Sequence, residues 1–514
     1  MACPGPETSL PARPSTVRLA ALAGLASGLA WATATLAQEA DPFQPPPDPT
    51  RPAAGALSTA PATSKPAFRG SYAQVGKPVK GSQKKPKPRR LQQAQTLASS
   101  PAPVPLGSTS PVAAALPNPG LPEPEPRRRP RRKAEVDPYE PLGFDTGGLI
   151  LRPAIEATGG YDTNPNRAPG PHKGSALLRQ EGSLQVDSQW ERHAFTATLR
   201  GAYNEYPGQP SANRPDGQGS ANLRLDILRD TQVDLGAAYD LTTERPGSLE
   251  QPIATLRRST ILTAGASATL TQRFGAAAVS LRGSVDRTTY GDLQGPDGVD
   301  ISQPGRDLNA YALRLRTGYE VTPGVQPFVE ASVDKRAYDT TIDASGYARS
   351  SSGVQARAGS TFEITRTLTG EVSAGYGSRD YEDPRLLPLR GPVADASLVW
   401  SATPLTTVTL RGTSALAETT VVGATGATVK TLGIEISHAL MRNLILAATG
   451  SVYQTDYIGQ PLRENGYTAG LKLEYKLTRS VALKASYSHE RLNGAVPGSD
   501  YTANVVLVGL RLQH

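Results

Sequence analysis

Eight short turns recur between residues 191 and 481, and each is flanked by stretches of about ten residues in which apolar and polar side chains alternate. The turns are Glu191-Arg192-His193, Leu228-Arg229-Asp230-Thr231, Thr271-Gln272-Arg273, Thr322-Pro323-Gly324, Thr365-Arg366-Thr367, Thr403-Pro404-Leu405, Met441-Arg442-Asn443 and Thr478-Arg479-Ser480. Their centres lie roughly 37 to 51 residues apart, the length of two strands and one longer loop. Before the first turn, Leu184, Val186, Ser188 and Trp190 alternate with Gln185, Asp187 and Gln189. After it, Phe195, Ala197, Leu199 and Gly201 alternate with Thr196, Thr198 and Arg200. A period of two sends successive side chains to opposite faces of a sheet, so one face is apolar and the other polar. A soluble sandwich alternates as well. Here, however, the polar face carries Arg, Lys, Asp or Glu on nearly every strand, and no run of eighteen apolar residues occurs. That combination suits lipid outside and water inside.

Eight short turns join sixteen strands, and flanking strands at residues 149–161 and 501–514 bring the count to eighteen. The predicted fold is all-β: a single transmembrane antiparallel up-and-down β-barrel of about 18 strands, with 16 as the alternative. An even count puts both termini and the short turns on the periplasmic side. The longer connections, such as Pro207-Gly208-Gln209-Pro210 and Arg379-Asp380-Tyr381-Glu382-Asp383-Pro384, then face outward from the cell. None exceeds roughly seventeen residues, so a long loop folded inward to constrict the lumen is not expected.

Composition divides the chain of 514 residues into three parts. Residues 1–37 read as a secretory signal, with Arg13 and Arg18 at its start, an Ala/Leu-rich core and the small-residue site Thr35-Leu36-Ala37. The single cysteine, Cys3, falls within it, so disulfides, thiolate chemistry and a cysteine-linked lipid anchor are excluded for the mature chain. Residues 38–146 hold 23 of the 46 prolines and the runs Lys84-Lys85-Pro86-Lys87 and Arg127-Arg128-Arg129-Pro130-Arg131-Arg132-Lys133. Such a segment has too few apolar groups to offset its ordering entropy, and we expect a disordered periplasmic linker. It carries 16 basic and 9 acidic residues and the signal 2 and 1, which leaves 36 of each sign for residues 147–514. The net charge of +8 therefore belongs to the leader and linker, and a barrel so balanced is not strongly selective for one sign of ion.

Aromatic side chains collect where hydrocarbon meets head groups. Trp190, Phe274, Tyr319, Phe362, Trp400 and Tyr475 stand beside short turns. Tyr161, Tyr203, Tyr239 and Tyr487 stand beside long loops, as do Tyr338, Tyr376, Tyr457, Tyr467 and Tyr501. Two girdles are expected. At the C-terminus, Gly509, Leu510, Leu512 and His514 have the form of the terminal signal that engages the barrel-assembly machinery, with His514 in place of the usual aromatic residue. The opening segment Pro138-Tyr139-Glu140-Pro141-Leu142-Gly143-Phe144, then Gly147-Gly148-Leu149-Ile150-Leu151-Arg152-Pro153 and Gly159-Gly160-Tyr161-Asp162-Thr163-Asn164-Pro165-Asn166, resembles the start of a family of outer-membrane β-barrel porins common in alphaproteobacteria. The resemblance extends over roughly residues 138 to 514, with its specific motif in the first strand. It implies an outer-membrane barrel of a Gram-negative bacterium and a pore of unassigned solute. A link to exopolysaccharide secretion is implied more loosely.

A catalytic constellation has to be sought before a pore is inferred. The histidines are His172, His193, His438, His489 and His514. A nucleophile and base on one strand must be two residues apart to share a face, yet Ser488 and His489 are adjacent, as are Ser437 and His438. Neither paired-histidine metal spacing nor a phosphate-cradling loop is present, so no enzyme, metal or cofactor is expected. The pore-lining candidates are the charges at inward positions: Arg152, Glu156, Asp187, Arg200, Arg224, Asp226, Arg282, Asp286, Arg314, Arg316, Glu330, Arg357, Glu371, Arg411, Lys472, Glu474 and Lys484, together with Asp234 and Glu320. They could set a field across a wet lumen, or form a solvated wall that fixes strand register. The expected function is diffusion of small hydrophilic solutes. An exopolysaccharide conduit and a non-conducting structural or adhesive barrel are the alternatives. Expected partners are outer-membrane lipids, the assembly machinery and, through the basic linker, an anionic polymer or periplasmic protein, but not nucleic acid.

Overall fold

The computed structural model describes residues 138–244, 257–295, 297–365, 367–421, 423–495 and 498–514. The expected signal and most of the expected linker lie outside the described residues. Eighteen long strands follow in chain order: β1 (Leu149–Asp162), β2 (Ser175–Ser188), β3 (Ala194–Glu205), β4 (Arg214–Asp226), β5 (Thr231–Thr243), β6 (Thr260–Phe274), β7 (Ala277–Tyr290), β8 (Leu308–Tyr319), β9 (Val325–Tyr338), β10 (Ser351–Thr365), β11 (Leu368–Tyr381), β12 (Leu389–Thr403), β13 (Thr406–Ala417), β14 (Gly426–Met441), β15 (Leu444–Ile458), β16 (Arg463–Lys476), β17 (Val481–Asn493) and β18 (Tyr501–Gln513). Each pairs antiparallel with its neighbours in sequence, and β18 returns to β1 and closes the ring. The eighteen-strand antiparallel barrel expected from the turn count is the fold that forms.

Seven of the eight turns sit where the sequence placed them. The exception is the third, where β6 runs through Thr271-Gln272-Arg273 to Phe274 and the chain reverses at Gly275-Ala276. Gly275 has φ +64°, a conformation glycine enters freely and side-chain-bearing residues enter with strain, so the reversal follows the glycine. The wall's height matches a membrane. Tyr319 and Tyr311 on β8, and Tyr475 and Tyr467 on β16, are eight residues apart on outward positions. At about 3.3 Å per residue and a tilt near 40°, that is roughly 20 Å, close to the apolar band of about 25 Å in outer-membrane barrels.

The seam between β1 and β18 runs from Ala154 opposite Gln513 to Asp162 opposite Val505. A Cβ on Gly160 would lie 1.8 Å from the Val506 carbonyl oxygen, and one on Gly509 would lie 2.1 Å from that of Ala157. Any side chain at either position would push the strands apart, so Gly509 has a packing reason of its own. Toward the short-turn rim β18 runs out, and Phe144–Asp145 pairs with Leu151 and Ile150 of β1 in its place. The Phe144 ring stacks on the His514 ring, with centroids 4.1 Å apart and planes 18° from parallel. Arg479 Nε donates to the Pro138 carbonyl at 2.8 Å. Residues 138–146, expected to belong to the disordered linker, are therefore part of the rim, because an unpaired edge of β1 recruits them as a short strand. Phe144→Ala should remove about 1 kcal/mol of ring stacking and lower by a few degrees the temperature at which the barrel loses its compact gel mobility. An unchanged transition would show that the stack contributes nothing to closure.

Candidate functional site

Strand register places all seventeen pore-lining candidates on the inner face, while Glu320 falls in the turn after β8. The wall is not uniform. On β8 to β11, Glu330 receives three guanidinium groups: Arg314 Nε at 3.4 Å, Arg316 Nη1 at 3.8 Å, and Arg357. Arg316 also grips Glu371 through two bonds of 2.9 and 2.8 Å and lies 3.4 Å over the Phe328 ring. All four of Arg314, Arg316, Glu330 and Arg357 are buried. Arg282, on β7, stands directly opposite Arg314, with Asp286 further along the same inner face. On β2 to β4, Glu181 pairs with Arg200 at 3.0 Å and Arg179 at 2.8 Å, and Arg200 reaches Asp216 at 3.4 Å. Around the seam, Lys484 binds Glu156 at 2.6 Å and Arg152 binds Asp187 at 2.5 Å. Arg224 reaches Asp226 at 3.3 Å. Opposite charges thus meet along the wall, within a few strands of each other. On β13 the pattern changes: Arg411 faces inward yet is exposed, while Lys472 and Glu474 on β16 are half-buried.

The long-loop end is partly filled, by short loops. The connection after β1 turns into the lumen at Asn164-Pro165-Asn166-Arg167, where Asn164, Pro165 and Arg167 are buried. Arg167 takes φ +49° and donates to Asp162 at 2.7 Å and Glu490 at 3.0 Å. Tyr206 Oη donates to Asp162 at 3.1 Å, and Tyr501 Oη donates to Glu490. The Pro165 carbonyl accepts from Arg214 Nη1 and Arg258 Nη2, each at 3.1 Å. Asn166 Nδ2 donates to Gln209 Oε1 at 2.6 Å and Asn164 Nδ2 to the Thr502 carbonyl at 3.2 Å, so this one loop touches groups on β4, β17 and β18, beside β6 and in the connection after β3. Burial works against the Arg167 charge, but Asp162 and Glu490 outweigh it and hold its pKa well above the ordinary value. Arg258 shows the reverse, pulled down to about 9 by burial and by Arg214 and Arg167, which still leaves it protonated at neutral pH.

A second loop enters after β13. Glu418 is buried and receives Arg336 and Arg379, each at 3.3 Å, with Tyr338 Oη at 3.1 Å and Ser351 Oγ. Burial alone would raise the Glu418 pKa; Arg336 and Arg379 hold it below the ordinary value. Arg349 donates to the Thr419 and Thr420 carbonyls at 2.5 and 3.3 Å. Beneath it Ala417 and Ala424 pack with the inward Ala427, Val429 and Tyr457. Between β3 and β4, Tyr206 and Ala212 pack on the inward Leu177, Val505 and Leu507. Among the described residues three short loops, and no long one, narrow this end, each held by arginines or an apolar patch on the inner wall.

The ten principal girdle aromatics lie on outward positions or, for Trp190, in an exposed turn. Tyr338, Tyr457 and Tyr501 face the lumen instead, where they hold the inward loops and the buried Glu490. Leu510 and Leu512 are exposed on the outside of β18. Ser488 is buried on the inner side while His489 points outward to Asn504 and Tyr467, so that pair does not meet. His438 bonds Thr406 Oγ1 at 2.9 Å. The charges that sequence reading missed fall into two groups. Arg179, Glu181 and Asp216 sit at inward parity on β2 and β4, and applying the alternation to every residue of those strands would have found them. Arg167, Arg258 and Glu418 lie off the strands, and no periodicity marks them.

No curated protein sequence matches the chain. Among solved structures, the siderophore receptor PiuA from Acinetobacter baumannii is similar at 10% identity, covering 73% of this chain and 82% of its own, with a TM-score of 0.39. OccK9 (OpdG) from Pseudomonas aeruginosa is similar at 12% identity, covering 72% and 100%, with a TM-score of 0.37. Likeness at this level assigns no solute. The profile of the family described as "Putative beta-barrel porin 2" matches residues 137–514, which span every strand of the closed ring and the rim hairpin before it. The chain belongs to that family of outer-membrane β-barrels.

Proposed function

We propose that the barrel is a diffusion pore for small hydrophilic solutes, working without cofactor or covalent step. The observation that carries this reading is Arg411, whose inward position on β13 is nonetheless exposed to solvent. A lumen filled with protein would bury that side chain. Elsewhere the wall charges neutralise one another, which favours weak selectivity between small ions. A polymer conduit would need three inward loops to withdraw together, and no observation favours it. Pro138 lies at the short-turn rim, so we place the basic segment that precedes it in the periplasm, within reach of an anionic polymer or partner. The refolded full chain in a planar bilayer should give discrete conductance steps with comparable potassium and chloride permeability. Membranes that stay silent while the protein is shown to be inserted would overturn the proposal.

A further inference from the structure

The outward face of β14 to β18 is apolar for most of its height and then changes abruptly. On β18 the outward run Leu512, Leu510, Val508 and Val506 is exposed, and the next outward residue is Asn504. At that height the neighbouring strands present Tyr467, Tyr487, His489 and Arg491, followed by Arg463 and Lys430. These groups are organised. His489 Nδ1 contacts Asn504 Oδ1 at 2.8 Å and its Nε2 contacts Tyr467 Oη at 3.3 Å, while Tyr487 Oη donates to Asn504 Oδ1 at 2.9 Å. Asp456 is the carboxylate of the patch, held by Lys430 at 3.2 Å and by Arg463 at 2.5 Å. With Arg491 added, three cations stand against one carboxylate. Arg463 and Lys430 remain 63% and 51% exposed despite that contact.

Ordered polar groups on a lipid-facing wall are unfavourable unless something polar meets them. Leu512 to Asn504 is eight residue steps, roughly 20 Å of height at a 40° tilt, so the patch lies where acyl chains end on the long-loop side. Guanidinium forks match phosphate oxygens, and the tyrosine oxygens beside them, fixed through His489 and Asn504, keep lone pairs that can accept from sugar hydroxyls. We propose that Arg463, Tyr467, His489 and Arg491 form a head-group site for a phosphorylated glycolipid of the outer leaflet, its acyl chains lying along Val506 to Leu512. This site is independent of whether the lumen conducts.

The test uses the full chain in a mild, uncharged detergent, with thermal unfolding followed by loss of compact gel mobility. Purified bis-phosphorylated lipid A is titrated against the same lipid stripped of both phosphates and against phosphatidylglycerol. The phosphorylated glycolipid should raise the transition by several degrees and bind about tenfold more tightly than either comparison lipid. The Arg463→Gln, Arg491→Gln pair, both exposed and outside the lumen, should abolish that preference and leave the lipid-free transition unchanged. Equal response to the phosphorylated and stripped lipids would overturn the site. So would equal response to phosphatidylglycerol, which would indicate attraction to any anionic surface, and so would a preference that survives the double substitution. Discrimination between lipids is read on the unaltered protein, so the site is decided even if the double variant fails to assemble.

Discussion

Arg167→Ala is expected to enlarge the unitary conductance several-fold and to admit hydrophilic antibiotics that the unaltered barrel excludes. Arg167 bridges Asp162 at the end of β1 and Glu490 on β17, and its buried side chain holds the Asn164-Pro165-Asn166 loop inside the mouth. Removing it leaves two carboxylates facing each other out of water with no guanidinium between them, a change worth about 3 to 5 kcal/mol in buried pairs. Withdrawal of the loop relieves that repulsion by returning Asp162 to solvent, and it carries Pro165 away from Arg214 and Arg258. Arg167→Lys should give an intermediate channel, since an ammonium keeps the charge but cannot serve both carboxylates through one fork. The measurement is single-channel conductance in planar bilayers, paired with growth on large hydrophilic antibiotics. Conductance equal to that of the unaltered protein, from a variant that retains its compact gel mobility, would show that this loop does not restrict passage.

The second large effect is expected at Glu330, where Arg314, Arg316 and Arg357 converge. Glu371 still serves Arg316 when Glu330 is neutralised, but the arc from β8 to β10 gains one uncompensated positive charge. A unit charge about 8 Å from a passing ion, at an effective dielectric near 20, contributes roughly 2 kcal/mol before water in the lumen screens it. Glu330→Gln should therefore move the potassium chloride reversal potential toward that of chloride, by several-fold in permeability ratio. Arg316→Met should move it the other way. High salt should shrink both shifts, because the charges act through water. Reversal potentials identical in all three proteins would mean that ions pass elsewhere in the lumen, along the β13 side where Arg411 is exposed.

Much of the fold was legible because a membrane barrel repeats one rule on every strand. Alternation, turn spacing and an even count carry strand number, closure and the inward parity of Arg152 through Lys484 without any tertiary information. The third turn was misplaced because an Arg/Thr triplet was sought where the backbone required the left-handed conformation of Gly275. The mouth was illegible for a different reason. Arg167 depends on Glu490, 323 residues away, and Glu418 on Tyr338, 80 residues away, and loop length says nothing about such partners. Tyr338, Tyr457 and Tyr501 lie near long loops, as girdle tyrosines do, but strand parity turns them inward. Applying parity to every tyrosine would have separated the two groups.

The seam also bears on how the barrel is made. Neighbouring strands elsewhere in the ring pair across a single turn or loop, whereas Asp162 meets Val505 and Ala154 meets Gln513 across nearly the whole domain. Closing that ring carries the largest loop entropy of any pairing in the barrel, and it cannot occur until the last residues exist. The stack of Phe144 on His514 joins the two sides of that seam, so it can form only once β18 has been made and docked. A barrel lacking β18 would keep an open edge on β1, a row of unpaired backbone groups ready to pair with another chain.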